Sequence, residues 1–136
     1  MPTVFTRIID GDLPGRFVWR DDLCVGILSI NPLQPGHTLV VPIAEIDHWV
    51  DLDDDLAAHL MTVSKAIASA QAQVFHPVKV GLMIAGLEVP HVHLHVVPIR
   101  GVHDLDFSQA DQNPDQAEMD EAAAALRAVL GTTDLT

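Results

Sequence analysis

The chain has 136 residues, of which 19 are acidic and 7 are basic, so its formal net charge is −12. This length is typical of a single domain, and a hydrophobic content of 49% is sufficient for a packed core. The acidic excess argues against polymeric nucleic acid and anionic membranes as partners, because such binding needs clustered Lys and Arg. A small ligand with one or two phosphates remains compatible, since backbone N–H groups can hold a phosphate.

The cysteine content and the N-terminal sequence bear on the compartment. Cys24 is the single cysteine, which excludes an intrachain disulfide and a multi-cysteine zinc site. We expect Cys24 to be a buried apolar residue and the protein to be cytoplasmic. The N-terminus has no signal-peptide pattern, and no run approaches the roughly 20 apolar residues of a membrane helix.

The first half of the chain predicts a short helix and three strands. Apolar spacing indicates the helix, β-branched and aromatic residues indicate the strands, and Pro and Gly mark the connections. The predicted elements are a helix around Phe5, Ile8 and Ile9, a hairpin of strands at 16–19 and 24–30, a loop at 31–36 and a strand at 38–41.

The second half predicts two helices and two further strands. Apolar residues at three- and four-residue steps predict a long amphipathic helix from Asp53 to about Phe75, with the acidic run at 53–55 capping its start. The remaining predictions are strands at 78–85 and 92–99, irregular chain at 101–114 and an Ala-rich helix at 115–130. This order indicates one α+β domain over residues 1–136, in which a helix packs on an antiparallel sheet.

Three histidines with strict two-residue spacing are the most informative feature. In a strand, His91, His93 and His95 would share one face, while Val92, Leu94 and Val96 would enter the core on the other. Crowded imidazoles are unfavourable without a ligand or hydrogen bonds, so this pattern favours a functional site. Two chemistries suit it: neutral imidazoles binding a transition metal, or one imidazole attacking an electrophile while its neighbours orient it.

Several blocks of the chain resemble the histidine triad (HIT) family of nucleotide hydrolases and transferases. Residues His91–Val97 match the family motif of three histidines alternating with apolar residues. The segment Asn31–Pro42 is similar to the loop and strand that carry a fourth histidine, here His37, and the segment from Phe5 to Asp22 is similar to the N-terminal helix and hairpin. The resemblance covers a core at about 4–99 and leaves a C-terminal extension at about 100–136.

The resemblance implies an active site for nucleoside-phosphate-X substrates. His93 would attack the α-phosphorus and form a nucleotidyl-histidine intermediate, which water then hydrolyses. The backbone carbonyl of His91 would accept from the ring N–H of His93, and His95 and His37 would lie beside the phosphate or complete the network. No metal is required for this route; a bound zinc would use His37, His91, His93 and His95.

The resemblance also implies a nucleotide pocket and a homodimer. The residues that positional matching assigns to nucleotide binding are Phe5, Ile8, Ile27, Leu28, Ser29, Ile30, Glu88 and Val89. For Ile8 and Ile30, a place in the hydrophobic core is an equal alternative. The long helix and a strand would form the dimer interface. The C-terminal helix lies outside the resemblance and would either cover the core or extend the dimer contact.

Two residues before the triad depart from the family pattern. Where the family usually has Gly-Gln-Ser/Thr-Val, this chain has Gly86-Leu87-Glu88-Val89. Either the leaving group needs little acid assistance, or Glu88 is an acid suited to a different leaving group. A different class of function is therefore kept open, a nucleotide- or zinc-binding module with little catalysis. His48, His59, His76 and His103 are expected in surface or capping roles.

Overall fold

The computed structural model describes residues 1–132 and residue 135, so positions 133, 134 and 136 of the predicted C-terminal extension lie outside the described residues. Its elements are α1 (Val4–Ile9), β1 (Phe17–Arg20), β2 (Cys24–Leu28), β3 (Thr38–Pro42), α2 (Asp54–Phe75), β4 (Lys79–Met83), β5 (Leu94–Ile99) and α3 (Gln116–Leu130). Short 3-10 turns occur at Trp49–Asp51, Val102–Leu105 and Phe107–Gln109. Within the described residues, no helix has both the length and the apolar character needed to cross a membrane.

The five strands form one antiparallel sheet in the order β1-β2-β3-β5-β4. This arrangement confirms the predicted α+β class. Because β3 and β5 are antiparallel neighbours with Thr38 opposite Val96, the loop before β3 lies beside the part of β5 that follows Val96. β4 is an edge strand of the sheet.

The strand predicted at 92–99 begins later, at Leu94, because the preceding residues do not pair with β3. The first paired residues are Leu94 of β5 and Val40 of β3. The Val92 N–H instead donates to the carbonyl of Ile46 at 2.7 Å. The side chains still alternate as predicted, since Val92 and Leu94 belong to the core cluster on the opposite face from His93. The strands predicted at 24–30 and 78–85 are likewise shorter, ending at Leu28 and Met83.

The acidic run at 53–55 caps α2, as predicted. Asp53 is the N-cap, and its side-chain oxygen accepts the Leu56 N–H at 2.8 Å. The other two acids lie in the first turn, near the positive end of the helix dipole. α2 ends at His76, whose φ of 51° is left-handed and closes the last turn.

The sheet is covered on both faces, and the two coverings differ in size. α2 and α3 pack on one face over a large apolar cluster that includes Val40, Leu60, Ile67 and Leu126. α1 packs on the other face over a smaller cluster of buried residues: Phe5, Ile9, Val25, Ile27, Leu39 and Val41. The C-terminal helix therefore covers the core, which was the first of its two expected roles.

Candidate functional site

The four predicted site histidines come together on the α1 face of the sheet. His37, His91, His93 and His95 are all buried, with at most 4% of each residue exposed. Ring centroids of His37 and His95 lie 5.2 Å apart, and those of His93 and His95 lie 5.0 Å apart. Buried polar groups at this density need hydrogen bonds, and these bonds determine which ring nitrogen carries each proton.

A directional chain of hydrogen bonds runs from the backbone through His37 to His95. The Leu33 N–H donates to Nδ1 of His37 at 3.0 Å, so the proton of neutral His37 is on Nε2. That nitrogen lies 2.9 Å from Nδ1 of His95, which must then accept. His95 therefore carries its proton on Nε2, a buried atom that has no hydrogen-bond partner within the described residues. The chain ends in an unused N–H donor.

His93 is oriented in the opposite sense. Its Nδ1 lies 2.7 Å from the backbone carbonyl oxygen of His91, so Nδ1 carries the proton and donates. The lone pair is consequently on Nε2. This is the contact that the family resemblance implies between these two residues. The ring of Phe5 packs against His93 with its centroid 4.9 Å away, which restricts rotation of the imidazole.

His91 lies behind the other histidines and uses both ring nitrogens on the protein itself. Nε2 lies 2.7 Å from the carbonyl oxygen of Pro42, so it donates. Nδ1 accepts from the hydroxyl of Thr3 at 2.7 Å. The same hydroxyl oxygen accepts the Thr6 N–H at 3.2 Å, as the N-cap of α1. Thr3 thus connects the start of α1 to the histidine cluster, and sequence reasoning did not identify it.

Burial keeps three of the imidazoles neutral near pH 7. Desolvation, followed by repulsion from neighbouring histidines, lowers the pKa of His37 to about 3. The same two causes lower the pKa of His95 to about 4. Desolvation is also the largest influence on His91, whose pKa is lowered despite its hydrogen bond to Pro42 and the nearby Glu45. Neutral rings at these positions preserve the donor and acceptor assignments.

The loop before β3 is held in place by α2. Gly36 has a φ of +88°, and a Cβ on it would lie 2.2 Å from the ring of Phe75. Only glycine fits this turn. The side-chain amide of Gln71 donates to the carbonyl of Gly36 at 2.8 Å and to that of Val96 at 2.9 Å. These contacts position the adjacent His37 from the opposite side of the sheet.

A cavity of about 350 Å³ opens beside His93 and His95. All eight residues that the sequence assigned to nucleotide binding line it, together with His37, His93 and His95; His91 does not. Ile30 is 72% exposed, so its alternative place in the core is wrong. Ile8 lies against the smaller core cluster as well as the cavity. Leu28 belongs to the core cluster on the α2 face, so its side chain points away from the cavity.

Sequence reasoning missed five residues of the cavity wall. They are Val4, Asn31, Leu39, Phe107 and Ala110. The last two come from the segment after residue 100, predicted to be irregular and outside the resemblance. The ring of Phe107 packs on His95 with centroids 5.0 Å apart, so the aromatic rings form a row from Phe5 through His93 and His95 to Phe107. Phe107 is a lone aromatic residue in an otherwise polar segment, and this was the sequence signal that could have identified it as part of the site.

The two departures from the family pattern occupy different places. Leu87 is 94% exposed and lines a separate cavity with Trp49. Glu88 lines the histidine cavity, where it is the single residue with a carboxylate or a permanent charge among the described lining residues.

A zinc ion held by all four histidines does not fit this arrangement. Both ring nitrogens of His37 and both of His91 already have protein partners. Only Nε2 of His93 and Nε2 of His95 remain, and the latter carries a proton. Zinc sites take three or four protein ligands, so two nitrogens are too few.

A second group of side chains that could bind a metal lies on the α2 side of the β1–β2 hairpin. Ligand atoms of Asp21, Cys24 and His59 all lie within 4.8 Å of one another. The carboxylate of Asp21 accepts from Trp19 Nε1, from the backbone N–H of Leu23 and of Cys24, and from Nε2 of His59 at 2.7 Å. Burial raises the pKa of Asp21, but these hydrogen bonds outweigh it and lower the pKa to about 2. The same bonds hold the hairpin turn in place, which is a structural reason for these side chains to lie together. His59 therefore bonds to the hairpin from α2, and His76 ends that helix.

Comparison with known proteins places this geometry in a family. The family model of the HIT domain matches residues 10–102. An uncharacterized HIT-like protein of Borreliella burgdorferi is 36% identical over 102 residues, covering 70% of this chain and 73% of that protein. A Zn-bound histidine triad family protein from Mycobacterium smegmatis is 33% identical, with a TM-score of 0.81 over 96% of this chain and 94% of its own.

A third relative has a similar fold at lower identity. It is a hypothetical histidine triad nucleotide-binding protein from Sulfolobus tokodaii strain7, 25% identical, with a TM-score of 0.82 over 93% of this chain and 91% of its own. The range matched by the family model contains His37, His91, His93 and His95. The motif, the five-stranded sheet and the relatives agree, and the chain belongs to the HIT family.

Proposed function

We propose that the chain is a nucleotide-binding hydrolase or transferase that cleaves a nucleoside-phosphate-X bond through a nucleotidyl-histidine intermediate. One observation carries the proposal: Nδ1 of His93 is occupied by a backbone carbonyl, which leaves the Nε2 lone pair for an electrophile in the cavity. The nucleotide-binding relative from Sulfolobus tokodaii supports a nucleotide as the ligand.

The apolar and polar parts of the cavity suit different parts of a nucleotide. Phe5, Ile8, Ile27 and Ile30 form an apolar wall for the base. The unused Nε2–H of His95 is a donor for a phosphate oxygen, and it needs no change of tautomer to act. His37 and Leu33 maintain that tautomer through their hydrogen bonds.

The reaction follows from these positions in two displacements. Nε2 of His93 attacks the α-phosphorus, a P–N bond forms, and the bond from phosphorus to the leaving group breaks. Water then attacks the same phosphorus, the nucleoside monophosphate leaves and the lone pair returns to Nε2. Transfer to another acceptor would replace water in the second step. The backbone carbonyl of His91 stabilises the positive charge that develops on the His93 ring through the Nδ1–H.

The decisive experiment is to look for a nucleotidyl adduct on His93. Wild-type protein would be mixed with adenosine and guanosine phosphoramidates or dinucleoside polyphosphates, quenched within the first turnover and analysed by intact-protein mass spectrometry. We expect a nucleotidyl adduct and steady-state turnover, and a loss of both by at least about 10³-fold in His93→Ala. His48→Ala, at an exposed position outside the cavity, is the matched control. Nucleotide binding with neither adduct nor turnover would instead establish a binding module.

We also propose a cytoplasmic homodimer formed through α2 and β4. Exposed apolar side chains on these elements support this interface: Met61 of α2 is 53% exposed, Leu82 of β4 is 41% exposed and Val78, just before β4, is 68% exposed. β4 is also an unpaired sheet edge, which can add a strand. We expect size exclusion with light scattering to give the mass of a dimer for the wild type and of a monomer for Leu82→Lys. A monomer mass for the wild type would reject the homodimer.

A further inference from the structure

We propose that Glu88 determines the leaving group of this reaction, so that the enzyme prefers nucleoside 5′-phosphoramidates whose amine carries a second, positively charged amino group and disfavours anionic leaving groups such as polyphosphate chains. The proposal rests on the proposed function, because it concerns the part of the substrate that His93 displaces.

Glu88 is placed to meet the leaving group. It lines the cavity that contains His93 and His95, and it comes from the loop that leads directly into the histidine triad. Glu88 is exposed at the cavity mouth, and none of the ion pairs found in residues 1–132 includes it. Phe5 and Ile27 form a buried apolar part of the wall, which suits the base. Glu88 is on an exposed part of the wall, from which a group attached beyond the phosphate can extend into solvent.

The cavity has no positive group to offset that carboxylate. Among the described lining residues there is no Lys or Arg, and His37 and His95 are buried and neutral. Four of the arginines are held elsewhere by hydrogen bonds to the protein: Arg16, Arg20, Arg100 and Arg127. A polyphosphate leaving group would bring several negative charges next to Glu88 without a counter-charge. An ammonium group would find a partner there.

The expected size of the effect is modest because Glu88 is solvent-exposed. A single charge pair a few ångströms apart at a wet surface changes a rate or binding constant by about 3- to 10-fold, and salt reduces it. The preference should therefore appear as an ordered series of kcat/KM values rather than as strict exclusion. Each decrease of one unit in the charge of the remote group should lower kcat/KM by one such step, so the positive and the negative substrate differ by two steps.

The chemical step is the same for every member of such a series. Nε2 of His93 forms a bond to phosphorus, the P–N bond to the amine breaks, and the departing nitrogen takes a proton from water. The free amine is released in this first step, and hydrolysis of the nucleotidyl-histidine then releases the nucleoside monophosphate and restores Nε2 of His93. One water is consumed over the two steps. Glu88 acts on the remote charge of the amine, and the proposal assigns it no proton transfer.

Three adenosine phosphoramidates of equal linker length test the proposal. Their amines would be 1,2-diaminoethane, propylamine and β-alanine, so the remote group is positive, neutral or negative. For the wild type at low salt we expect kcat/KM to fall in that order. In Glu88→Gln, which keeps the size of the side chain and removes its charge, the ratio between the first and third substrates should shrink by about 10-fold or more. Asp47→Asn removes an exposed acid outside this cavity and should leave that ratio unchanged.

The outcomes separate this inference from the function on which it rests. If the wild type hydrolyses all three compounds but Glu88→Gln leaves their ratios unchanged, the role of Glu88 is rejected and the histidine chemistry stands. If a dinucleoside polyphosphate yields an adduct or product and none of the three phosphoramidates does, the role of Glu88 is likewise rejected and the histidine chemistry stands. If neither class of compound reacts, both proposals fail together. A second readout is ionic strength: 0.5 M KCl should compress the wild-type series toward that of Glu88→Gln, and an unchanged series would reject a charge effect.

Discussion

The two faces of the sheet bury side chains in different ways. On the face toward α2 and α3, burial is mainly apolar, and residues such as Ile67 and Leu126 have no exposed area. On the face toward α1, four imidazoles are buried beside a smaller apolar cluster, and hydrogen bonds offset the cost of removing them from water. The first face stabilises the fold through contact area, whereas the second depends on hydrogen bonds to its buried imidazoles.

The difference between the two faces explains why the ring nitrogens that are free to react lie on the α1 face. Pairing on the α1 face leaves two ring nitrogens without a hydrogen-bond partner among the described residues, Nε2 of His93 and Nε2 of His95. One is an acceptor and the other a donor, and both residues line the same cavity. The other ring nitrogens of the four histidines are used in hydrogen bonds within the protein, so only these two are available to a ligand. Changes on the α2 face should affect stability first, and changes on the α1 face should affect activity or pH dependence first.

The largest stability effect is expected from Ile67→Ala on the α2 face. Ile67 has no exposed area, and its Cδ1 lies close above Gly26 of β2. The truncation should lower the free energy of unfolding by about 2–5 kcal/mol, measured by urea denaturation, because a cavity remains in a packed core. Lys65→Ala, at an exposed position of the same helix, should change it by less than about 0.5 kcal/mol. Equal effects at the two positions would contradict the burial described for α2.

The second effect is a fall in stability on mild acidification, which arises on the α1 face. The unfolded chain protonates His37 and His95 near their ordinary pKa of about 6.5, whereas the folded protein does so only near 3 and 4. Between these values the unfolded state binds more protons, so stability decreases as pH falls below about 6.5. Each group contributes up to roughly 1.4 kcal/mol per pH unit.

Measurements between pH 5 and 6.5 isolate the histidines, because the shifted carboxylates titrate lower: the pKa of Asp21 is about 2, and that of Glu45 is lowered from 4.5. His37→Gln should reduce the slope of unfolding free energy against pH, and His48→Gln, at an exposed position, should leave it unchanged. A wild-type stability that stays flat over this range would show that these imidazoles are not buried as neutral groups.

A third effect connects the two faces through Gln71. This residue belongs to α2, yet its amide holds the carbonyl of Gly36, next to His37. Gln71→Leu should cost about 1–3 kcal/mol in unfolding free energy, because buried carbonyls lose their donor. It should also lower turnover per folded molecule, since the His37 loop loses its support. Gln73→Leu, at an exposed position two residues further on, is the control for both measurements. Reduced stability with full activity would show that α2 does not position His37.

Much of the fold could be predicted because its signals are long or periodic. The apolar steps of α2 extend over six turns, so its bounds were predicted to within a residue, with Asp53 as the cap. The alternation around His93 separated the core side chains from the imidazoles, although the strand itself starts only at Leu94. The family resemblance supplied the pocket residues, and all eight line the cavity.

The remaining site features depend on contacts between distant segments. The tautomer of His95 depends on a backbone N–H at Leu33, which only the folded loop brings to His37. Phe107 reaches the cavity from a 3-10 turn with no periodic pattern, and the side chain of Leu28 points to the other face although its neighbours face the site. Sequence spacing alone contains none of this information.

The smallest effect, and the most selective, is expected from Thr3→Val. Valine keeps the shape of threonine but removes the hydroxyl that caps α1 and donates to Nδ1 of His91. We expect a loss of about 1 kcal/mol in unfolding free energy, the usual effect of removing an N-cap. Turnover should fall as well, because His91 is then free to change tautomer and its backbone carbonyl orients His93. Thr3→Ser retains the hydroxyl and should restore both quantities. If Thr3→Val lowers stability but leaves kcat and its pH profile unchanged, Thr3 only caps the helix. The orientation of His93 then does not depend on the hydrogen bond between Thr3 and Nδ1 of His91.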